Sequence, residues 1–260
     1  MCKALCDSRR ERLRVWASIH EREPGGNFRT SAAFMIIQTI LFDFDGTLAE
    51  LRIDFSDMKR RIAAVAAGFF GRVPEPSSLP ALEWIDALAR ELSGTADGRA
   101  RAFRSEAMAS VQALEMEAAS KGSLFPFTRR VLEELRGRGV KIAVVTRNCE
   151  EAVRAVFPDM DGYGFKLFSR DQVARVKPDP EHLRTALHAL NAGCRESLMV
   201  GDHPLDIETG KRLGVRTAGV ASGRVPLEEL KAHRPDWTAQ DCAALLRLLD
   251  AQNLLPPRRL

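Results

Sequence analysis

The stretch TILFDFDGTL, residues 39–48, decides the fold, because an apolar, β-branched run leads directly into two aspartates, Asp43 and Asp45, and a Gly-Thr pair. Asp and Gly often end strands because they favour turns, which accounts only for the DGT part. Asp43 is different, since it lies within the apolar stretch, where an unpaired carboxylate is costly to desolvate. The stretch therefore predicts a buried strand whose acidic end needs a cation or hydrogen-bond donors from elsewhere in the chain.

Two further apolar runs have the length of a strand, VKIAVVT at residues 140–146 and SLMVGD at residues 197–202. Short continuous runs of this kind are typical of parallel strands that are buried on both faces. They follow segments with helical spacing at 129–139 and 179–193, and this alternation indicates an α/β fold with right-handed crossovers. The sequence predicts a Rossmann-like parallel sheet, and the pattern continues through a short strand to a C-terminal helix at 241–250.

Residues 50–122 interrupt this alternation with helical patterns alone, which predicts an α-helical cap domain inserted between the first two strands. The α/β catalytic core is then expected to comprise residues 35–49 and 123–250, followed by a C-terminal tail at 251–260. Residues 1–34 are Arg-rich without sustained apolar periodicity, so we expect them to form a disordered N-terminal extension outside the fold. The helical patterns of the insertion cover residues 54–70, 78–93 and 99–120.

Composition and charge exclude several classes of protein. The 45% hydrophobic and 28% charged content is that of a globular chain, and no apolar run approaches the about 20 residues of a membrane-spanning helix. The net charge is +4, but residues 1–34 hold seven basic and four acidic residues, which leaves +1 for the rest. A near-neutral body argues against nucleic-acid binding, which needs clustered basic residues. Without a signal-peptide pattern, and with five scattered cysteines, we expect a cytoplasmic protein that binds no membrane.

Polar residues follow each of the three predicted strands. In an open α/β sheet, ligands bind at the carboxyl ends of the strands where the strand order reverses, so these residues are expected in one crevice. Acids and a lysine at such a place suit Mg²⁺, a hard cation with oxygen ligands that readily accepts a phosphate oxygen. Each residue alone has an ordinary explanation in a turn or helix start, and only their conjunction in this order predicts a site. The residues are Asp43, Asp45, Thr146, Lys177, Asp202 and Asp206.

In these motifs the chain resembles the haloacid dehalogenase superfamily over residues 36–250, with a layout most similar to phosphoglycolate-phosphatase-like members. DFDGTL corresponds to the first motif, Thr146 in VVTRN to the second, Lys177 in KPDP to the third, and GDHPLDIETG at 201–210 to the fourth. The helical insertion after the first motif resembles the family's cap. The resemblance implies a Mg²⁺-dependent phosphatase that hydrolyses a small phosphorylated metabolite through an aspartyl-phosphate intermediate.

The resemblance also implies roles for the individual residues. Asp43 is expected to be the nucleophile, and Asp45 the general acid and base. Thr146 and Lys177 are expected to hold the phosphoryl oxygens, and Lys177 also to restrain Asp43. The implied metal ligands are Asp43, Asp202, the backbone carbonyl of Asp45 and, directly or through water, Asp206.

Two neighbouring residues have less definite interpretations. Arg147 follows Thr146, and it is either a further contact to the substrate phosphate or a solvated arginine. His203 lies beside Asp202, but imidazole is a poor ligand for Mg²⁺, so we expect a loop residue there.

Two other functions remain open at the level of sequence. A phosphomutase of the β-phosphoglucomutase type keeps the same motif residues and differs in how its cap holds the substrate. A catalytically inactive binding or regulatory relative keeps the fold without turnover. A dehalogenase is disfavoured because such relatives lack the second aspartate, Asp45 here. The expected partner is a small-molecule phosphate ester, with no nucleic acid, and the chain is expected to be a monomer or a homodimer.

Overall fold

The computed structural model describes residues 36–93 and 98–258, so the predicted N-terminal extension at 1–34 lies outside the described residues. The strands of the described part are β1 (Thr39–Phe42), β2 (Ala49–Glu50), β3 (Ser123–Leu124), β4 (Lys141–Val145), β5 (Lys166–Phe168), β6 (Ser197–Gly201), β7 (Arg216–Val220) and β8 (Trp237–Ala239). The helices are α1 (Phe55–Phe70), α2 (Ala81–Leu92), α3 (Arg99–Ala119), α4 (Thr128–Gly137), α5 (Glu150–Val156), α6 (Glu181–Ala189), α7 (Pro204–Leu213), α8 (Leu227–Ala232) and α9 (Cys242–Ala251).

Six of the strands form one parallel sheet in the order β5-β4-β1-β6-β7-β8. From the central strand β1 the chain adds β4 and β5 on one side, then returns to place β6, β7 and β8 on the other. The strand order therefore reverses beside β1, and the predicted Rossmann-like α/β sheet is confirmed. Strands β5 and β8 were not predicted, because three residues at the edge of a sheet are too few to show a period.

Both faces of the central strand are buried, which explains its continuous apolar sequence. All four residues of β1 are buried. Ile40 and Phe42 point into one hydrophobic cluster, and Leu41 points into a second cluster on the opposite face with Leu183 of α6. Successive side chains of a strand alternate between faces, so the strand is apolar from Ile40 to Phe42.

The three helical patterns of residues 50–122 correspond to α1, α2 and α3, between β2 and β3. Asp54 caps the start of α1 by accepting a hydrogen bond from the backbone of Asp57 (2.9 Å), and Gly71 ends it with a φ of 66°. The rings of Phe69 and Phe103 meet edge to face at 5.6 Å, which packs α1 against α3. The division of these residues into a separate cap domain stays a prediction.

A short antiparallel ribbon joins the two ends of the insertion. Ala49 of β2 pairs with Leu124 of β3, and Glu50 pairs with Ser123. The chain therefore leaves and re-enters the core side by side, next to the residues that follow β1.

The last described residues extend the core beyond α9. Leu254 and Leu255, within the segment predicted as a tail, are buried, and the backbone N–H of Ile37 donates to the carbonyl of Leu254 (2.7 Å). In the part of the chain that the structure describes, no helix combines the length and apolarity needed to cross a membrane.

Candidate active site

The tight turn after β1 brings the first two aspartates to the carboxyl end of the sheet. Asp43 follows β1 directly, and its backbone N–H donates to the carbonyl of Val200 in β6 (2.8 Å). Gly46 has a φ of 82°, and a Cβ there would lie 2.2 Å from the Oδ2 atom of Asp202. Only glycine meets both requirements, so the G of DFDGTL lets the Asp202 carboxylate approach the turn.

Lys177 is the cationic partner that the sequence required for Asp43. Its side chain is 2% exposed, and its Nζ lies 2.6 Å from Oδ1 of Asp43 and 2.7 Å from Oδ1 of Asp206. Burial alone would lower the pKa of Lys177, but the charges of Asp206 and Asp43 raise it above its ordinary value, so the ammonium form persists. The carboxylate that follows β1 is thus neutralised by an ion pair.

Three carboxylates at this end of the sheet form a set of oxygen donors that suits a hard divalent cation. One oxygen from each of Asp43, Asp202 and Asp206 lies within 4.8 Å of the others. Burial raises the pKa of Asp43 to about 6 and that of Asp202 to about 8; the charge of Lys177 opposes the rise at Asp43, and neighbouring carboxylates add to it at both. A bound cation would relieve this repulsion, and an all-oxygen set fits Mg²⁺.

The side chain of Asp45 lies outside that set. Its Oδ1 accepts a hydrogen bond from the backbone N–H of Leu51 (2.9 Å), which belongs to the segment leading into α1. Burial raises the pKa of Asp45 to about 7, and the charge of Asp43 adds to this, while the Leu51 hydrogen bond opposes it. A carboxyl group with such a pKa can exchange a proton near neutral pH. Its predicted metal contact, through the backbone carbonyl, stays a prediction.

The helix after β6 holds Asp206 in position. The backbone N–H of His203 donates to Oδ2 of Asp206 (3.2 Å), while the backbone N–H of Leu205 donates to Nδ1 of His203 (3.1 Å). This reciprocal cap of α7 explains the spacing of H and D in GDHPLD. His203 is therefore a helix-cap residue at the edge of the site rather than a plain loop residue.

Thr146 ends β4 in the place that the sequence predicted. It is 1% exposed, and its backbone N–H donates to the carbonyl of Phe168 in β5 (3.0 Å). Its Oγ1 accepts from the backbone N–H of Asn148 (3.2 Å). The hydroxyl hydrogen can therefore be donated to a ligand.

Arg147 makes an ion pair that neither sequence interpretation included. Its two terminal nitrogens each lie 2.7 Å from an oxygen of Glu83 in α2, and Nη1 also donates to the carbonyl of Lys177. Burial alone would raise the pKa of Glu83, but hydrogen bonds and the charge of Arg147 lower it below its ordinary value. Arg147 thus connects the end of β4 to the inserted helices, and its contact to a substrate phosphate stays a prediction.

All the predicted site residues line one cavity of about 450 Å³ between the sheet end and the insertion. The structure therefore brings together residues that are up to 163 positions apart in the sequence (43 to 206). They are Asp43, Asp45, Thr146, Arg147, Lys177, Asp202 and Asp206.

The loop after β7 is a part of the site that the sequence reasoning missed. A Cβ on Gly223 would lie 1.9 Å from Oδ2 of Asp202, and Oγ of Ser222 donates to the carbonyl of Gly46 (2.7 Å). Arg224 donates to the carbonyl of Ile53 (2.7 Å). The rule that ligand sites lie after strands could have found this loop, since it follows β7 directly.

Two further groups support the site, His182 and the pair of Glu115 with Arg170, and no motif in the sequence predicted them. His182 is buried and neutral: burial and the charge of Lys177 lower its pKa to about 3. Its Nδ1 accepts from the backbone N–H of Lys177 (3.2 Å). Glu115 of α3 and Arg170 are buried partners, and Oε2 of Glu115 also accepts from the backbone of Cys149 (3.1 Å). The ion pair of Glu115 and Arg170 joins the insertion to the core, and Glu115 also lines the cavity.

Sequence comparisons relate the chain to hydrolases. The profile of the family described as haloacid dehalogenase-like hydrolase matches residues 40–220. The pyrophosphatase PpaX of Bacillus cereus is 35% identical over 127 residues, 47% of this chain and 57% of that protein. The pyrophosphatase PpaX of Oceanobacillus iheyensis is 28% identical over 220 residues, 83% of this chain and 98% of that protein. The stronger match thus spans little more than half the length of the relative.

Solved structures share the fold at low sequence identity. A hydrolase from Pseudomonas syringae has a TM-score of 0.58 at 20% identity, covering 82% of this chain and 98% of that one. A predicted phosphoglycolate phosphatase from Haemophilus somnus has a TM-score of 0.56 at 20% identity, covering 82% and 97%. Likeness at this level of identity shows the fold alone.

Proposed function

The chain belongs to the haloacid dehalogenase-like hydrolase family, and from that premise we propose that it is a Mg²⁺-dependent phosphatase of a small phosphorylated metabolite. The observation that carries the proposal is the pairing of Asp43 with buried Lys177, 2.6 Å away, within a cluster of carboxylate oxygens. Such a carboxylate is a nucleophile that the surrounding charge holds in place. The small-molecule phosphate ester is the partner that this arrangement fits.

In the first step, an oxygen of Asp43 attacks phosphorus and the bond from phosphorus to the alcohol oxygen of the substrate breaks. Asp45, which remains partly protonated near neutral pH because burial raises its pKa to about 7, gives its proton to the departing oxygen. Lys177 keeps its hydrogen bond to Asp43 and neutralises part of the charge on the phosphoryl group. The products of this step are the alcohol and an aspartyl-phosphate on Asp43.

In the second step, Asp45 acts as a base and takes a proton from water, whose oxygen attacks phosphorus. The bond from phosphorus to Asp43 breaks, which releases inorganic phosphate and restores the carboxylate. Thr146, at the end of β4, donates its hydroxyl hydrogen to a phosphoryl oxygen in both steps. Asp43, Asp202 and Asp206 would hold Mg²⁺, which supplies further charge neutralisation when bound.

The test compares Asp45→Asn with the unchanged chain on two kinds of substrate, with Mg²⁺ present. The leaving group of an alkyl phosphate is a basic alkoxide that needs the proton from Asp45. The nitrophenolate that leaves p-nitrophenyl phosphate is weakly basic and does not. We expect kcat/KM to fall by about 10²-fold or more for the alkyl phosphate and much less for p-nitrophenyl phosphate. Equal losses would remove the acid-base role from Asp45.

The same assays separate the competing functions. Release of inorganic phosphate that depends on Mg²⁺ supports a phosphatase. Isomerisation of a sugar phosphate without release of phosphate would assign a phosphomutase instead. Binding of phosphate esters without either reaction would assign a regulatory protein.

A further inference from the structure

We propose that the leaving group of the substrate is an apolar alcohol, alkyl or aryl, rather than a second phosphate or a carboxylated fragment. This inference rests on the proposed function, because it concerns the half of the ester that departs when Asp43 attacks. It differs from what the name of the pyrophosphatase relatives suggests, in which both halves of the substrate are phosphates.

The first support is the size of the cavity. At about 450 Å³ it lies within the range of roughly 300–1,000 Å³ that is typical of sites for whole small molecules. Asp43, Asp202, Asp206 and Lys177 lie together in one part of it, at the end of the sheet. A phosphoryl group on Asp43 would fill a small part of it, so most of the space faces the leaving group.

The second support is the chemistry of the apolar wall of the cavity. The insertion contributes Ile53, Phe55, Met58, Leu82 and Val111 to it. Phe55 is 52% exposed, although it is a large apolar side chain at the cavity. An apolar group placed against such a wall is removed from water together with the wall, which favours binding in proportion to the apolar area covered.

The third support is the charge of the lining. Five cationic and six acidic side chains line the cavity, and the paired cations already have acidic partners: Lys177, Arg147 and Arg52. A Mg²⁺ ion and a doubly charged phosphoryl group neutralise each other, so the lining has no surplus positive charge for another anion. To be neutralised, a second phosphate or a carboxylate would have to draw Lys59 or Arg224 away from contacts within the insertion, which adds to the cost of desolvating it.

The two remaining cations of the lining bind neutral groups of the insertion. Nζ of Lys59 donates to the carbonyl of Ser77 (2.6 Å), and Nη2 of Arg224 donates to the carbonyl of Ile53 (2.7 Å). The guanidinium of Arg224 also lies over the ring of Phe55, 5.3 Å from its centroid. These contacts use both cations to hold the apolar wall in place.

The first experiment compares four substrates with Mg²⁺ bound: 2-phenylethyl phosphate, ethyl phosphate, 2-phosphoglycolate and pyrophosphate. The first two have alkoxide leaving groups of similar basicity, so their ratio measures contact with the apolar wall. We expect kcat/KM for 2-phenylethyl phosphate to exceed that for ethyl phosphate by about tenfold or more. It should also exceed the values for 2-phosphoglycolate and pyrophosphate, whose leaving groups carry an additional negative charge.

The outcomes distinguish this inference from the proposed function, with p-nitrophenyl phosphate as the activity control. If p-nitrophenyl phosphate is hydrolysed but 2-phosphoglycolate or pyrophosphate has a higher kcat/KM than 2-phenylethyl phosphate, the inference is overturned and the proposed phosphatase activity stands. If that preference also disappears in Arg224→Gln, the cation rather than the apolar wall selects the substrate. If no ester is hydrolysed, the proposed function fails and the inference fails with it.

A binding series tests the wall without turnover. Alkyl phosphonates carry a carbon–phosphorus bond in place of the ester and serve as probes from ethyl to hexyl, in titration calorimetry with Mg²⁺. Each buried methylene should tighten binding about fourfold until the cavity is filled, the equivalent of about 0.8 kcal/mol. Affinity that does not change with chain length overturns the inference.

A pair of matched variants locates the effect. Phe55 and Leu79 are both exposed apolar residues of the insertion, 52% and 41% respectively, but only Phe55 lines the cavity. Phe55→Ala should raise KM for 2-phenylethyl phosphate about fivefold relative to ethyl phosphate, with little change in the ratio of their kcat values. Leu79→Ala should leave the ratio of KM values unchanged. Equal ratios in both variants would contradict a leaving-group site at Phe55.

Discussion

The carboxyl end of the sheet and the contact between insertion and core are built in different ways. At the sheet end, Asp43, Thr146 and Asp202 each directly follow a strand, so their position depends on a local pattern. At the contact, Glu83 meets Arg147 across 64 positions and Glu115 meets Arg170 across 55, and neither glutamate belongs to a motif. The position of a residue that follows a strand can thus be predicted from the local sequence, whereas the partners of the inserted helices depend on how those helices pack.

The two regions also use charge differently. The sheet end concentrates like charges, because oxygens of three carboxylates lie within 4.8 Å of one another. The buried cation that pairs with two of them is Lys177. The contact contains matched pairs of opposite charge instead. The first arrangement is suited to binding ligands of both signs, whereas the second is suited to holding the insertion on the core.

The largest effect should come from Asp43→Asn, which tests whether the reaction takes place at the carboxyl end of the sheet. An amide oxygen is a poor nucleophile, so we expect phosphate release to fall by about 10⁴-fold or more, equivalent to about 5 kcal/mol in the barrier. Asp54→Asn at the start of α1 is the control, because asparagine also caps helices and activity should persist. Retention of more than about a hundredth of the activity by Asp43→Asn would contradict the covalent mechanism.

Lys177→Met should produce the next largest effect, on stability. The variant leaves Asp43 and Asp206 buried without their common cation, and removal of one partner from a buried ion pair costs about 3–5 kcal/mol. Denaturant unfolding without added metal measures this loss. Lys166→Met is the matched control, because the Lys166 amine is exposed and donates only to the carbonyl of Ala189. Similar unfolding curves for the two variants would show that the sheet end does not depend on this pairing.

Arg170→Met tests the buried pair of the contact in the same way. Arg170 and Glu115 have side-chain exposures of 4% and 3%, so the single variant leaves a buried carboxylate and should cost about 3 kcal/mol. Adding Glu115→Gln removes that charge, and the double variant should recover much of the loss in the free energy of unfolding. As a control, Arg61→Met breaks the exposed pair with Glu117, which is on the same helix as Glu115, and should leave the unfolding midpoint nearly unchanged. A double variant less stable than the single one would contradict the explanation.

The smallest effect is expected for the half-buried pair of Arg147 and Glu83, with exposures of 20% and 32%. A double-mutant cycle with Arg147→Met and Glu83→Gln should give a coupling of about 0.5–1 kcal/mol at pH 7. The folded-state pKa of Glu83 lies below its ordinary value of 4.5, so this stability is present above pH 4.5. It is lost as the pH falls through the lowered pKa and Glu83 becomes protonated. A coupling that is constant down to pH 3 would contradict the ion pair.

Much of the site was predictable because parallel strands align their ends. The apolar runs at 39–42, 141–145 and 197–201 are strands, and the acids after the first and third lie at the same edge of the sheet. A period of two or a continuous apolar run is a local property that secondary structure preserves. The helices of the insertion were predictable for the same reason.

The α/β class, the helical insertion and the convergence of six site residues on one cavity could therefore be predicted from the sequence. Only the folded structure shows that Lys177, expected beside Asp43, also pairs with Asp206, that Arg147 binds Glu83, and that the loop at Arg224 joins the site. Hydrogen bonds and ion pairs form over about 3 Å between groups far apart in the chain, so they depend on the crossing of helices and loops. No local period encodes those crossings, because they result from the packing of the whole core.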